Sequence, residues 1–236
     1  MDYYMTIDTE TANSLDDPIV YDLGIVIHDK DGNVYYTQSL VLSETFLNEE
    51  LMKTAYFANK IEQYKKDLYV NHTRKPATIW GAWRLVKSLL KRYNVKAVIA
   101  HNAYFDFNAL NTTLRYYTQS RYRYFFPFGT VIWDSLRMAR TTLSKDEPYK
   151  EWCIEHDYLT NNRPKMTAEV LYRYITSDHA FMEEHTGLAD AMIEKEITAY
   201  LLNRNHAGMR KCLFNPKKDE DVQTMLEWWT ESSLME

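Results

Sequence analysis

Apolar and polar positions in the first third of the chain alternate in a way that favours strands. The run at residues 3–7 and the segments 19–29 and 33–43 are rich in β-branched and aromatic residues. The sequence DKDGN between the last two segments is typical of a turn, so the three segments form a predicted meander. Residues 47–68, which follow, are charged and helical in pattern.

The remainder of the chain alternates strands with helices. Helical spacing of apolar residues predicts helices at 78–94 and 105–119. Short apolar runs predict strands at 95–102 and at the beginning of 130–140, and a long helix is expected from about 188 to 203. Strands that first pair and then alternate with helices are typical of a mixed α/β domain. The tail from His206 onward has a different character.

Composition narrows the class of protein. The chain has 236 residues and a net charge of −5, so any contact with nucleic acid has to be local. Two cysteines cannot form a disulfide framework, which favours a reducing compartment. No apolar run reaches the roughly 20 residues that span a bilayer, and no secretory signal is visible. We expect a soluble cytoplasmic protein without a membrane partner.

Carboxylates follow apolar elements at three places. Asp8 and Glu10 continue the first strand, and both point to one side because side chains alternate along a strand. Asp106 comes shortly after the strand at 95–102. Asp190 lies early in the last long helix, and His185 precedes it by five residues. Like charges on one side of a core strand are costly to bury without a partner.

Each of these positions also has a purely structural explanation. Asp106 is typical of a helix cap or a first-turn acid, worth about 1 kcal/mol. His185 is typical of a solvated loop histidine. On one helix, His185 and Asp190 would lie about 140° apart. If the helix begins at Thr186, however, His185 lies on the preceding loop and reaches the side of Asp190.

Three carboxylate sites taken together favour a site for divalent cations. Hard cations such as Mg²⁺ take oxygen ligands and cancel the charge of clustered carboxylates. Two such ions about 4 Å apart serve in-line displacement at phosphate. A histidine beside them, with a pKa near neutrality, is suited to deprotonate the attacking water.

The ordered set of motifs resembles that of the DnaQ-like DEDD exonucleases. IDTET resembles their first motif, HNAYFDFNAL their second and EEHTGLADA their third, and the histidine of the third is typical of the DEDDh branch. WDSLRMAR resembles the segment that follows their second motif. The resemblance spans about residues 3 to 203. One departure, Ala12-Asn13 where many relatives have Thr-Gly, concerns how the terminal nucleotide is held.

The resemblance implies a fold and an activity. The fold is ribonuclease-H-like, a mixed five-stranded sheet flanked by helices over residues 1–205. Outside the resemblance, we expect residues 206–236 to form a short helical extension packed on this domain, where Trp228 and Trp229 either dock onto the domain or anchor a partner. The activity is 3′-to-5′ exonucleolytic hydrolysis at the 3′ ends of single-stranded nucleic acid, with DNA favoured over RNA. The products are nucleoside 5′-monophosphates. Two divalent ions, Mg²⁺ or Mn²⁺, are the implied cofactors, and a homodimer or a replication or repair partner fits the same resemblance.

The resemblance also assigns a role to each matching position. Asp8 is expected to bridge both metals. Glu10 and Asp190 are expected to complete the site that holds the nucleophilic water. Asp106 would serve the second metal, through water, and His185 would act as the general base.

Contacts with nucleic acid are expected at two places. By resemblance, the backbone from Thr9 to Thr11 lies near the terminal sugar. Tyr104 and Phe105 are candidates to flank the terminal base, although Phe105 is also compatible with a place in the core, and Asn102 of the second motif is a further substrate-binding candidate. Independently, the stretch RYYTQSRYRYFFPF interleaves arginines and aromatic residues without any acid, which suits single strands. The same stretch is also compatible with a loop that packs its rings on the core. The candidates for phosphate contacts are Arg115, Arg121 and Arg123.

Two other functions stay open. A nucleic-acid-binding scaffold of the same fold is expected to have lost a carboxylate or the histidine, whereas all five positions are present. A phosphohydrolase for nucleotides or short oligonucleotides would share the metal chemistry, with a closed pocket in place of a track.

Overall fold

Six strands form one mixed sheet in the computed structural model, which describes residues 1–120 and 122–204. Their order across the sheet is β4-β3-β2-β1-β5-β6. The strands are β1 (Tyr3–Asn13), β2 (Pro18–Asp29), β3 (Val34–Leu42), β4 (Lys75–Ala77), β5 (Ala97–Ala100) and β6 (Ile132–Asp134). The predicted meander is confirmed, since β2 pairs antiparallel with both β1 and β3. Strand β5 pairs parallel with β1 and β6, and β4 pairs parallel with β3.

Helices cover both faces of this sheet. They are α1 (Ser43–Phe46), α2 (Glu49–Met52), α3 (Ile61–Tyr69), α4 (Ile79–Arg92), α5 (Ala103–Thr118), α6 (Ser135–Leu143), α7 (Glu147–Glu155), α8 (Ala168–Thr176) and α9 (Gly187–Arg204). A second, two-stranded sheet pairs β7 (Leu159–Thr160) with β8 (Arg163–Pro164). The mixed α/β class is therefore confirmed.

The alternation of side chains along β1 separates two cores. Met5 and Ile7 point to one face and pack in a cluster with α4 and α5. Tyr4 points to the other face and packs with residues of α6, α7 and α9. Asp8 and Glu10 share the second face by the same alternation. They consequently lie on the side of the sheet that α9 covers.

Three details differ from the sequence prediction. The main sheet has six strands instead of five, because Lys75–Ala77 adds an edge strand. Pro76 cannot donate to a ladder, which restricts such a segment to an edge. The helical stretch expected at 47–68 is broken into α2, a 3₁₀ turn at Ala58–Lys60 and α3. Near the break, the Thr54 hydroxyl donates to the carbonyl of Leu51 at 2.6 Å, a local bond that competes with the helix.

The third difference lies at residues 159–164, where the sequence LTNNRP predicts a loop and the structure has a hairpin. Asn161 and Asn162 have φ values of 50° and 58°, and two successive positive φ values define the turn that suits a two-residue hairpin.

The predicted extension at 206–236, with Trp228 and Trp229, lies outside the described residues. Over residues 1–120 and 122–204, every helix is too short or too polar to cross a bilayer.

Candidate metal centre

Three carboxylates meet where β1 passes the beginning of α9. One oxygen from each of Asp8, Glu10 and Asp190 lies within 4.8 Å of the others. Asp8 and Glu10 are brought side by side by the two-residue repeat of β1, and Asp190 comes from the first turn of α9. Glu10 and Asp190 are buried, whereas Asp8 is half-buried. The arrangement presents several oxygen ligands to one small volume.

Asp22 on β2 fixes the beginning of α9 against the sheet. Its Oδ2 accepts a hydrogen bond from the Gly187 backbone N–H at 2.9 Å. The same oxygen accepts from the Tyr64 hydroxyl at 2.6 Å and from Arg74 at 3.0 Å. Asp22 is fully buried, and Arg74 is only 7% exposed. A buried ion pair therefore holds the helix end that carries Asp190.

Asp106 is the fourth carboxylate of the site, and Thr9 orients it. The backbone N–H and the hydroxyl of Thr9 both donate to Asp106 Oδ1, at 3.0 and 2.8 Å. Asn102, in the left-handed conformation with φ 70°, leads from β5 into α5 and places Asp106 in the first turn of that helix. Because Thr9 lies between Asp8 and Glu10 on β1, this pair of bonds ties the second motif to the first.

His185 lies on the loop before α9, as predicted, with φ 51°. Its ring stacks on Phe57, with centroids 4.5 Å apart and planes inclined by 11°. Its Nδ1 lies 3.9 Å from Glu183 Oε2. The ring therefore has a fixed plane and an acid beside one of its two nitrogens.

The site is short of positive charge, and this shortage shows in the pKa values of its acids. Burial first, and then the charge of Asp190, raise the pKa of Glu10 to about 8. Burial raises the pKa of Asp190 to about 8, with a further contribution from Glu183. Burial raises the pKa of Asp106 to about 7, although the bonds from Thr9 oppose the shift. Burial and the neighbouring acids also place the pKa of Asp8 well above its usual range.

The donor set fits hard divalent cations. Clustered carboxylate oxygens are the ligands that Mg²⁺ and Mn²⁺ prefer. Oδ1 of Asp190 is buried and has no hydrogen-bond partner among the described residues, which leaves it available as a ligand. Bound cations would also remove the repulsion that raises these pKa values.

Glu194 is a further buried acid that sequence reasoning missed. It lies one turn after Asp190 on α9, lines the same cleft, and its Oε2 accepts from the backbone N–H of His101 at 3.1 Å. Burial, followed by the charge of Asp106, raises the pKa of Glu194 well above its usual range. The spacing of four from Asp190 was the available signal, since it places both carboxylates on one side of a helix.

These residues line one cavity of about 430 Å³, which we call the metal cleft. The five predicted catalytic positions lie in it together: Asp8, Glu10, Asp106, His185 and Asp190. Thr9, Asn102 and Phe105, predicted to contact substrate, also line it. Phe57, Arg140, Met166 and Thr167 complete much of its wall.

The other predicted substrate residues are placed differently. Tyr104 is exposed and Thr11 is half-buried, and neither lines the metal cleft. Arg115 stacks over Tyr124 at 4.7 Å, and Arg123 stacks over Trp80 at the same distance. Neither arginine lines the metal cleft, and Arg121 lies outside the described residues. Their contact with substrate stays a prediction.

No protein-family model matches the chain, and no curated protein matches it in sequence. Solved structures, however, share its ribonuclease-H-like fold, which confirms the fold that the motifs implied. The zinc-bound complex of E. coli exonuclease I with single-stranded DNA is 12% identical and covers 87% of this chain, with a TM-score of 0.55. Another exonuclease I structure, described as suggesting how processivity is achieved, is 14% identical and covers 86%, also with a TM-score of 0.55. The chain spans only 41% and 43% of these two proteins.

Proposed function

We propose that the protein is a metal-dependent 3′-to-5′ exonuclease that acts on single-stranded nucleic acid, with DNA preferred to RNA. One observation carries this proposal: Asp8, Glu10 and Asp190 converge within 4.8 Å in a cleft that also contains Asp106 and His185. A scaffold protein has no need to bury these acids together, because their repulsion is costly without cations.

Asp8, Glu10, Asp106 and Asp190 would hold two divalent cations. When bound, such ions cancel the charge of the carboxylates and stabilise the negative charge that develops on the phosphate oxygens. The charges of Glu10, Asp106 and Asp190 all act on Asp8, which is the residue that would contact both ions. Thr9 keeps Asp106 oriented through its two hydrogen bonds.

His185 is the general base in this proposal. Burial first, and then the nearby ammonium of Lys60, lower its pKa, so the imidazole is neutral and able to accept a proton near pH 7. Nδ1 faces Glu183, which leaves Nε2 to take the proton of the attacking water. The water oxygen bonds to phosphorus as the bond from phosphorus to the 3′ oxygen breaks. Solvent then protonates that oxygen, and a nucleoside 5′-monophosphate leaves.

The structural neighbours support the substrate class. The zinc-bound exonuclease I structure described above is a complex with single-stranded DNA. The metal cleft opens to solvent and carries the half-buried ring of Phe105 beside the acids, where a terminal base would have a ring to stack on. Stacking of this kind tolerates any base sequence.

The proposal is tested with single-stranded DNA and RNA of one sequence, labelled at the 5′ end, in Mg²⁺, Mn²⁺ or EDTA. A ladder that shortens from the 3′ end in metal, and not in EDTA, is expected, and faster for DNA. Asp8→Asn should abolish it, whereas the matched surface variant Asp31→Asn should not. A folded parent protein that leaves both strands intact in metal would refute the proposal.

A further inference from the structure

A second cavity, of about 880 Å³, lies next to the metal cleft, between the α6–α7 junction and the β7–β8 hairpin. Four cationic side chains line this basic cleft: Arg140, Lys145, Arg163 and Lys165. Within residues 1–120 and 122–204, no carboxylate lines it. In a chain with a net charge of −5, a wall with four cations and no acid is a marked local concentration of positive charge.

The two clefts share a wall. Arg140, Met166 and Thr167 line both of them. The carbonyl of Met166 is hydrogen-bonded to Nε2 of His101 at 2.8 Å, which fixes this wall to the beginning of α5. A chain that crosses the wall therefore passes directly from a cationic surface to the clustered carboxylates.

In the part of the chain that the structure describes, no acid neutralises the cations of the basic cleft. Arg140, Lys145 and Arg163 are exposed, and over the described residues none of the four cations forms an ion pair with a carboxylate. Arginines elsewhere are paired: Arg74 with Asp22 and Asp67, for example. An unpaired cation in a concave surface is available to an anionic ligand.

The basic cleft is also held rigidly. The turn at Asn161 and Asn162 fixes the hairpin that carries Arg163. The backbone N–H of Lys165 donates to the carbonyl of Tyr158 at 2.9 Å, and the hydroxyl of Tyr149 donates to the carbonyl of Lys165. A backbone that is already ordered loses less conformational entropy when its side chains bind a ligand.

Another cavity with lysines does not compete as a ligand site. It is lined by Lys87, Lys91 and Lys96 and lies beside the residues that precede β5 and β6. The metal cleft lies after β5, at the opposite end of that strand. One of its three lysines, Lys96, is paired with Asp2 at 2.5 Å.

We propose that the basic cleft binds the phosphodiester backbone of the single strand on the 5′ side of the nucleotide held in the metal cleft. The direction of the strand rests on the proposed function, whereas binding itself does not. The sequence predicts phosphate contacts at Arg115 and Arg123. In this proposal, contacts from α6, α7 and the β7–β8 hairpin add to those contacts or replace them. Each phosphate contact should add to the salt dependence of binding.

The test compares Lys145→Ala/Arg163→Ala with the matched control Arg84→Ala/Lys91→Ala, which removes one arginine and one lysine from α4. Binding of a fluorescent oligothymidylate is measured by anisotropy in EDTA at several salt concentrations. The cleft variant should bind more weakly, and the slope of log affinity against log salt should fall by about 1.4, the value for two phosphate contacts on a single strand. The control should keep the parental slope.

A second measurement separates this proposal from the proposed function. The ratio of kcat/KM for the oligothymidylate to kcat/KM for a thymidine 5′-monophosphate nitrophenyl ester should fall in the cleft variant and not in the control. If the cleft variant hydrolyses both substrates with the parental kcat/KM ratio and the parental salt slope, the proposal for the basic cleft is refuted and the exonuclease proposal stands. Suppose that the parent protein hydrolyses neither substrate, but that the cleft variant binds the strand more weakly than the parent. This result would refute the exonuclease and support the basic cleft. Competition by thymidine 5′-monophosphate as strong as that of the strand would refute a backbone track and indicate a nucleotide site.

Discussion

Gly24 of β2 and Gly187 at the beginning of α9 touch backbone to backbone. A Cβ on Gly24 would lie 2.0 Å from the carbonyl oxygen of Gly187, and a Cβ on Gly187 would lie 2.7 Å from the nitrogen of Gly24. Gly24 pairs with Asp8 across the sheet. The absence of two side chains therefore lets α9 approach close enough for Asp190 to meet Asp8.

Gly24→Ala should displace the beginning of α9 and separate Asp190 from Asp8. We expect a loss of about 1–3 kcal/mol in the free energy of unfolding, as for other overpacked sites, together with a large loss of metal-dependent cleavage. Denaturant melts and the ladder assay measure the two effects. Gly81→Ala is the control, because Gly81 lies in α4 with only Thr78 Oγ1, at 3.3 Å, and the Cβ of Ala77 near a new Cβ. A Gly24→Ala protein with parental stability and activity would show that the close contact is unimportant.

The free energy of unfolding of the metal-free protein should depend on pH in a defined direction. The folded-state pKa values of Glu10 and Asp190, about 8, exceed their ordinary values of 4.5 and 3.8, so the folded protein binds more protons than the unfolded chain between these limits. Without metal, the free energy of unfolding should therefore fall as pH rises toward 8. His28, whose pKa burial lowers to about 4, acts oppositely only below about pH 6.5.

Melting curves in EDTA between pH 6.5 and 8.5 measure this effect. Tm should fall with pH in EDTA, and Mn²⁺ should raise Tm more at pH 8 than at pH 6.5. Glu10→Gln should flatten the curve in EDTA, because the amide does not titrate. A parent protein whose Tm rises with pH across this range would contradict the assignment of raised pKa values to the cluster.

Phe57 should matter for turnover because it holds the ring of His185. Phe57→Leu keeps an apolar side chain and removes the stacked partner, so kcat should fall by about tenfold with little change in strand binding. His185→Gln should lower kcat by about 10²- to 10⁴-fold and remove the ascending limb of the pH–rate profile. Tyr69→Leu, an exposed aromatic residue of α3, is the control. Parental kcat in both Phe57→Leu and His185→Gln would remove this pair from the mechanism.

Arg74 should be required for stability because it compensates the buried charge of Asp22. Arg74→Met leaves that carboxylate without its ion pair, at a cost of about 3–5 kcal/mol. Asp22→Asn in the same chain should recover part of the loss, since the amide is neutral and keeps an oxygen for the Gly187 N–H. Urea melts of the two single variants and the double variant measure the coupling. Additive effects in this cycle would show that the pair does not interact.

Much of the site was predictable because its ligands follow local patterns. Asp8 and Glu10 come from the two-residue repeat of a strand, and Asp190 comes from the start of a helix with Thr186 before it. The sequence places His185 on the loop only if the helix begins at Thr186 or later, and the structure meets this condition because α9 begins at Gly187. The order of these motifs along the chain carried the resemblance to exonucleases and, with it, the fold.

The remaining features depend on contacts between distant segments. Asp22 meets Gly187 across 165 positions of sequence, and Glu194 meets His101 across 93. No periodicity within either segment indicates the partner. Strand β4 and the β7–β8 hairpin escaped prediction for another reason: with three and two residues, their strands show neither an alternating pattern nor the apolar run that indicates β6.

Hydrolysis in ¹⁸O-labelled water, followed by mass spectrometry of the released nucleotides, tests the central claim most directly. The account predicts that single-stranded DNA in Mg²⁺ yields nucleoside 5′-monophosphates that each carry one ¹⁸O on phosphate, and that Asp8→Asn yields none. Release of 3′-monophosphates, of unlabelled nucleotides, or of the same labelled products by Asp8→Asn would contradict the account.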